Sequence, residues 1–138
     1  MLTEIIVVDA DLDNIVPNIA DYKFIGQADF SDQIAEARKD VYHMVYADME
    51  NNNPSYTHAK IKDEVEKVHD FIETPNLKDC IVRLAISRIF KGNSLLEMAG
   101  AYEMEASLIP LRYHYDVNED NVVDTGEISV RSKYVFGR

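Results

Sequence analysis

The sequence predicts a mainly α fold: a small four-helix bundle with a C-terminal β-hairpin and an extended acidic N-terminal arm. Three observations carry that reading. Between residues 29 and 109, apolar side chains recur every three or four positions in four separate runs, which is the helical period. Beyond Pro110 the period drops to two. Before residue 29, Asp and Asn residues with Pro17 and Gly26 interrupt every apolar run. The chain divides accordingly into an arm and loop region (1–28), a helical bundle (29–109) and a hairpin arm with an Asp/Asn-rich loop (110–138). Its 138 residues suffice for one domain with an appendage.

In the arm, Glu4-Ile5-Ile6-Val7-Val8 is β-branched and suits a short strand or an extended segment. Residues 9–28 read as turn and loop, with one short helix near 11–20. The first bundle helix spans 30–50: Phe30, Ile34, Ala37, Val41, Val45 and Met49 share a face. Asp29 or Ser31 can cap its start, and Asn51-Asn52-Asn53-Pro54 ends it. The second spans 57–73, with Ile61, Val65, Val68 and Ile72 on one face and a solvated charged surface opposite. Thr74-Pro75-Asn76 breaks it. The third, 77–90, is apolar at Leu77, Cys80, Ile81, Leu84, Ala85, Ile86, Ile89 and Phe90, so it is the central, mostly buried helix, with Gly92 as C-cap. The fourth, 94–107, has Ser94 as cap and Leu95, Met98, Ala99, Tyr102 and Ala106 on one face. In the hairpin, Leu111, Tyr113 and Tyr115 alternate with Arg112 and His114. Ile128, Val130, Tyr134 and Phe136 alternate with Ser129, Arg131, Lys133 and Val135, with Ser132 the exception on the apolar face. A lone hairpin is marginal in water, so this one must pack on the bundle or join a neighbouring subunit.

Charge narrows the function. Twenty-five Asp and Glu against 14 Lys and Arg give −11, which argues against gripping duplex DNA through its phosphates or an anionic membrane through its headgroups. Residues 1–22 carry five acids and no base, residues 102–127 carry seven acids and Arg112, and residues 128–138 carry Arg131, Lys133 and Arg138 with no acid. Such asymmetry can steer self-assembly, an acidic surface facing a basic one on a neighbour. It equally serves plain solubility. The single Cys80 excludes an intramolecular disulfide framework and reads as a buried core thiol. No stretch approaches the roughly 20 apolar residues of a membrane span, and the start lacks a signal peptide's basic region. A reducing, cytoplasm-like compartment is expected.

One segment has the pattern of a ligand set. Against a twelve-residue calcium loop, Asp116, Asn118 and Asp120 fall at positions one, three and five. Val122 falls at seven, where a backbone carbonyl serves, Asp124 at nine and Glu127 at twelve. Oxygens at alternate positions of a tightly wound loop converge on one point, and the final Glu closes the sphere. Position six is Asn121 where Gly is usual, and both flanks read as strands rather than helices. The alternative is an Asx-rich hairpin turn whose side chains bond their own backbone. Melting in calcium and in chelator separates the two, because a specific ligand raises stability by mass action.

Catalytic signatures are absent: no P-loop, GxGxxG, GxSxG or HExxH. His43, His58, His69 and His114 are scattered, without metal-ligand spacing. An enzyme is not expected.

The order of features resembles the head-to-tail connector (adaptor) proteins of tailed double-stranded DNA bacteriophages. The resemblance lies in the helix Ile34-Ala35-Glu36-Ala37-Arg38-Lys39-Asp40-Val41 and the apolar helix Leu77–Phe90. It continues in Ala101-Tyr102-Glu103-Met104-Glu105, and in Leu111-Arg112-Tyr113-His114-Tyr115-Asp116 with its Asp/Asn loop and basic end. It covers residues 30–138 as a pattern, without a strict motif, so no site residue carries over. It implies a structural virion protein at the neck, made in the host cytoplasm. Such a protein forms a homo-oligomeric ring, commonly twelve-fold, that binds the portal and tail or neck proteins and extends the DNA channel. DNA passes without specific binding, and no membrane is involved. Two other readings fit the residues alone: a calcium-stapled protein-interaction module, and an acidic regulator that mimics DNA.

Overall fold

The computed structural model describes residues 5–66, 68–69, 76–110, 112–115 and 128–130. Over these the protein is mainly helical, as expected. The helices are α1 (Asp9–Ile15), α2 (Ser31–Asn52), α3 (His58–Val65), α4 (Asn76–Gly92) and α5 (Leu96–Leu108), with a 3-10 turn at Ile19–Tyr22.

Helix α4 is the centre, packed against both α2 and α5. It buries Leu77, Cys80, Ile81, Val82, Leu84, Ala85, Ile86, Ser87, Ile89 and Phe90, and each large apolar side chain so buried contributes on the order of 1.5–3 kcal/mol. Helix α2 meets it with Ile34, Ala37, Val41, Met44, Val45 and Met49. Helix α5 approaches through Ala99 and Ala106, both fully buried. Their small side chains leave room for the buried Ser87 hydroxyl to donate to the Ala99 carbonyl at 2.9 Å.

The chain leaves α4 through a left-handed residue, but that residue is Ser94 (φ 60°), where Gly92 had been expected as C-cap. The Ser94 N–H bonds the Lys91 carbonyl at 3.0 Å and the Leu95 N–H bonds the Phe90 carbonyl at 2.9 Å, the paired closure of a Schellman motif. Ser94 therefore does not cap α5, whose N-cap is Leu95. Gly92 has another duty: a Cβ there would stand 3.0 Å from the Phe24 ring.

Helix α3 is shorter than the 57–73 span its periodicity suggested. Thr57 caps it, its hydroxyl accepting from the Lys60 N–H at 3.2 Å. It closes where the Glu66 N–H bonds the Asp63 carbonyl, three residues back, at 3.2 Å. Val68 and His69 then form a short strand segment, β1. Ile61, Val65 and Val68 are all buried, so the apolar pattern is kept although the helix stops. Ile72 lies outside the described residues.

The N-terminal region is docked rather than free. Residues 5–8 precede α1 outside regular secondary structure, with Ile5 and Val7 buried and Ile6 and Val8 exposed. Leu12 of α1 and Ile19 of the 3-10 turn join the core. The expected short helix is present as α1, while residues 5–8 are held down by this apolar burial and by the Arg38 guanidinium, which donates to the Ile5 carbonyl at 2.9 Å.

Short strand segments β2 (Arg112–Tyr115) and β3 (Ile128–Val130) complete an antiparallel set in the order β1-β2-β3. Val68 stands opposite Tyr115, and Arg112 opposite Val130. These contacts do not establish the predicted C-terminal hairpin, because residues 116–127 and 131–138 lie outside the described residues. Among the described residues no helix is long and apolar enough to cross a membrane.

Candidate functional site

Three features of the surface invite a function: a charged cleft, the acidic N-terminal region, and apolar side chains left in water.

The cleft lies between α2, α4 and α5, has a volume of about 300 Å³ and is lined by Asp40, His43, Met44, Leu84, Ser87, Arg88, Lys91 and Glu103. Its cations are engaged. Arg88 grips Asp40 through Nη2–Oδ1 at 2.9 Å, Nη2–Oδ2 at 2.7 Å and Nε–Oδ2 at 3.1 Å, and reaches Glu36 through Nη1 at 2.8 Å. Lys91 stands 3.3 Å from Glu103. Ser87 spends its hydroxyl proton on Ala99, and the exposed His43 packs edge-on against Tyr42. The cleft thus joins helices by planar, bidentate pairing and aligns no nucleophile with a base.

At the far end of α2, Tyr46 hydrogen-bonds His58 Nδ1 and their rings tilt together at 5.4 Å. Tyr42 nearby has its phenol pKa pushed up by burial and by the Glu66 and Tyr46 charges. Tyr113 is fully buried and donates to Asp48 Oδ2 at 2.6 Å, pinning the segment after Pro110 to α2.

The acidic N-terminal residues are partly occupied inside the fold. Asp11 accepts from the Val8 N–H at 2.9 Å and lies 3.5 Å from Lys78. Asp9 accepts from the Phe30 N–H at 3.2 Å, 3.8 Å from Lys23. Asp13 accepts from the Asn18 N–H at 3.0 Å. Asp29 takes both the N–H and the hydroxyl of Ser31, and these bonds hold its carboxyl below the usual range. Part of the surplus acid therefore closes turns and helix starts.

Besides Ile6 and Val8, apolar side chains are exposed at a turn and along α5. A turn is closed by the Gln27 N–H on the Phe24 carbonyl (3.0 Å), the Phe24 N–H on Gln27 Oε1 (3.0 Å) and Lys23 Nζ on the Ala28 carbonyl (3.0 Å). It projects Ile25 wholly into solvent and leaves Phe24 half exposed. Along α5, Leu96, Met104 and Leu108 are exposed, Met104 and Leu108 on the side away from Ala99 and Ala106, and Met98, expected on the buried face, is exposed as well. Leu96, Gly100, Met104 and Leu108 stand four apart, a second stripe that the sequence displays but that the buried-face pattern obscures.

Asp116, Asn118, Asp120, Val122, Asp124 and Glu127, the candidate cation ligands, lie outside the described residues. Among the described residues no group of three or more His, Cys, Asp or Glu side chains could hold a metal ion. Cys80 is buried, as expected. Comparison with protein-family models, with curated proteins and with solved structures finds no match.

Proposed function

We propose that this chain is a structural, ring-forming head–tail connector protein that binds a portal, extends the DNA channel towards the tail and meets neck or tail proteins on its other side. The observation that carries the reading is the hydrogen-bonded turn at 23–28, which presents Ile25 to solvent on a chain of net charge −11. An apolar side chain held out by a hydrogen-bonded turn serves docking into a partner's pocket, since each bond already made lowers the conformational freedom lost on binding. The negative charge suits a channel lining that must not hold phosphate. The cleft supports the reading too, as it holds helices together and aligns no reacting groups. The C-terminal hairpin belongs to this proposal: anchored by Tyr113, it is a marginal element that gains stability by packing against a neighbour.

The test is Ile25→Asp, which leaves the turn's hydrogen bonds in place. In a pull-down on a portal ring of a tailed phage, the parent chain is retained and Ile25→Asp is lost, with unchanged circular dichroism for both. Retention of the variant at parent level removes the turn from the interface. Failure of the parent to bind any portal removes the function.

A further inference from the structure

Helix α5 carries apolar side chains on both of its sides. Ala99 and Ala106 are buried, while Leu96, Met104 and Leu108 stay in water. A surface helix ordinarily turns one apolar stripe to the core and a polar face outward. Among the described residues the main packing partner of α5 is α4 alone, which leaves the second apolar surface uncovered.

That outer surface has a definite relief. Side chains four apart form ridges along a helix. One ridge runs Leu96, Gly100, Met104, Leu108, and its neighbour runs Glu97, Ala101, Glu105. Gly100 and Ala101 are adjacent and both exposed, so the two ridges drop at the same level and leave a depression between Leu96 and Met104. The fold does not use the missing side chain: among the described residues a Cβ on Gly100 would meet nothing within 4 Å. Glycine weakens a helix interior relative to alanine, and here the space it leaves is open to a group that docks from outside.

Charge states what fits. Glu97 and Glu105 bracket the depression, one helical turn on either side of Ala101. Glu97 stands in no ion pair among the described residues. Glu105 lies 3.4 Å from Arg83 Nε, yet its side chain remains 53% exposed. The helix holds no Lys or Arg. A second copy of this chain would set the same acids against them on a molecule already at −11, and like charges oppose such a contact. A large apolar side chain flanked by cations satisfies both ridges at once. An amphipathic helix with basic edges presents that arrangement, and its own ridges lie in the grooves of α5.

We infer that the outer face of α5 docks a basic amphipathic helix of a partner protein, one large apolar side chain seated over Gly100 and Ala101 with a Lys or Arg towards each of Glu97 and Glu105. The inference goes beyond the connector reading, which engages the turn at Ile25 and makes no use of α5.

The experiment titrates the isotopically labelled full chain with a capped helical peptide of Leu, Ala and Lys whose apolar stripe is edged by Lys, followed by amide NMR. Two control peptides have the same composition scrambled, or Glu in place of Lys. Shift changes are expected to concentrate in α5, with both controls binding at least about tenfold more weakly. Gly100→Gln fills the depression with an uncharged helix-forming side chain. It should melt above the parent and weaken the peptide at least about tenfold, so the lost affinity is not lost folding. Glu97→Gln should weaken binding and flatten its dependence on salt. No binding, equal binding of the scrambled peptide, shift changes centred elsewhere, or parent affinity in Gly100→Gln overturns the inference. So do two other occupants of the face: self-association of the chain that Gly100→Gln abolishes, and nuclear Overhauser contacts from residues 116–138 to α5 in the free chain. Ile25→Asp keeps the peptide affinity of the parent, so failure on the portal and failure of this contact are read separately.

Discussion

Removing the Tyr113 hydroxyl tests whether the segment after Pro110 is anchored to the bundle. Tyr113 is fully buried and its hydroxyl donates to Asp48 Oδ2 at 2.6 Å. Hydrogen bonds to a charged acceptor contribute about 1.5–3 kcal/mol. Asp48 keeps a contact from Asn52 Nδ2 at 3.3 Å and is only half-buried, so water can replace part of the loss. Tyr113→Phe is therefore placed at the lower end, about 1.5–2 kcal/mol. An unfolding entropy of about 2.1 cal/mol/K per residue gives about 0.29 kcal/mol/K for a chain of this length, and hence a Tm lower by about 5–7 °C. Tyr113→Ala also loses the ring and costs about 3–5 kcal/mol, or about 10–17 °C on the same scale. The assay is urea unfolding followed by circular dichroism, with a thermal melt in parallel. A Tyr113→Phe midpoint within about 0.5 kcal/mol of the parent would refute the anchor, and equal losses for the two variants would assign the whole effect to the hydroxyl.

Ile86→Ala in the fully buried face of α4 should cost about 2–5 kcal/mol, read as a lower urea midpoint with an unchanged slope. A loss below about 1 kcal/mol would mean that α4 is not the core. Ser94→Gly should raise stability by about 0.5–1 kcal/mol, because relief of a left-handed Ser (φ 60°) outweighs the added freedom of the unfolded chain; destabilisation would contradict the Schellman closure. Asp29 titrates below its ordinary value because Ser31 bonds its charged form. Its contribution to stability is therefore present above the ordinary carboxylate pKa and fades as pH falls through the folded value. Ser31→Ala should move the Asp29 carboxyl titration, followed by carbon NMR, upward towards the ordinary range, and an unmoved titration would assign the depression to something else.

The bundle was legible where burial and period coincide. Ile34, Ala37, Val41, Val45 and Met49 recur at helical spacing and are buried together, and α4 announces itself by being apolar on nearly every side. The end of α3 was not legible, because Val65 and Val68 are spaced alike whether the second continues a helix or begins a strand. The exit from α4 was misplaced by two residues because Gly92 is the residue best suited to a left-handed turn, while packing against Phe24 uses it otherwise and leaves the turn to Ser94. The docking of the N-terminal region depends on partners distant in sequence, such as Arg38 for Ile5 and Lys78 for Asp11, which no local pattern displays. The exposed stripe of α5 was hidden by assigning Met98 to its buried side. The loop at 116–127 has the clearest chemical pattern in the sequence, and its candidate ligand residues lie outside the described part of the structure.

The measurement that bears most directly on the central claim is native mass spectrometry of the chain mixed with an intact portal ring from a tailed phage. The account predicts one portal ring carrying a full ring of this chain, with as many copies as the portal has subunits, and no such assembly for Ile25→Asp. Portal and chain flying separately, at concentrations where the portal remains a ring, would contradict it.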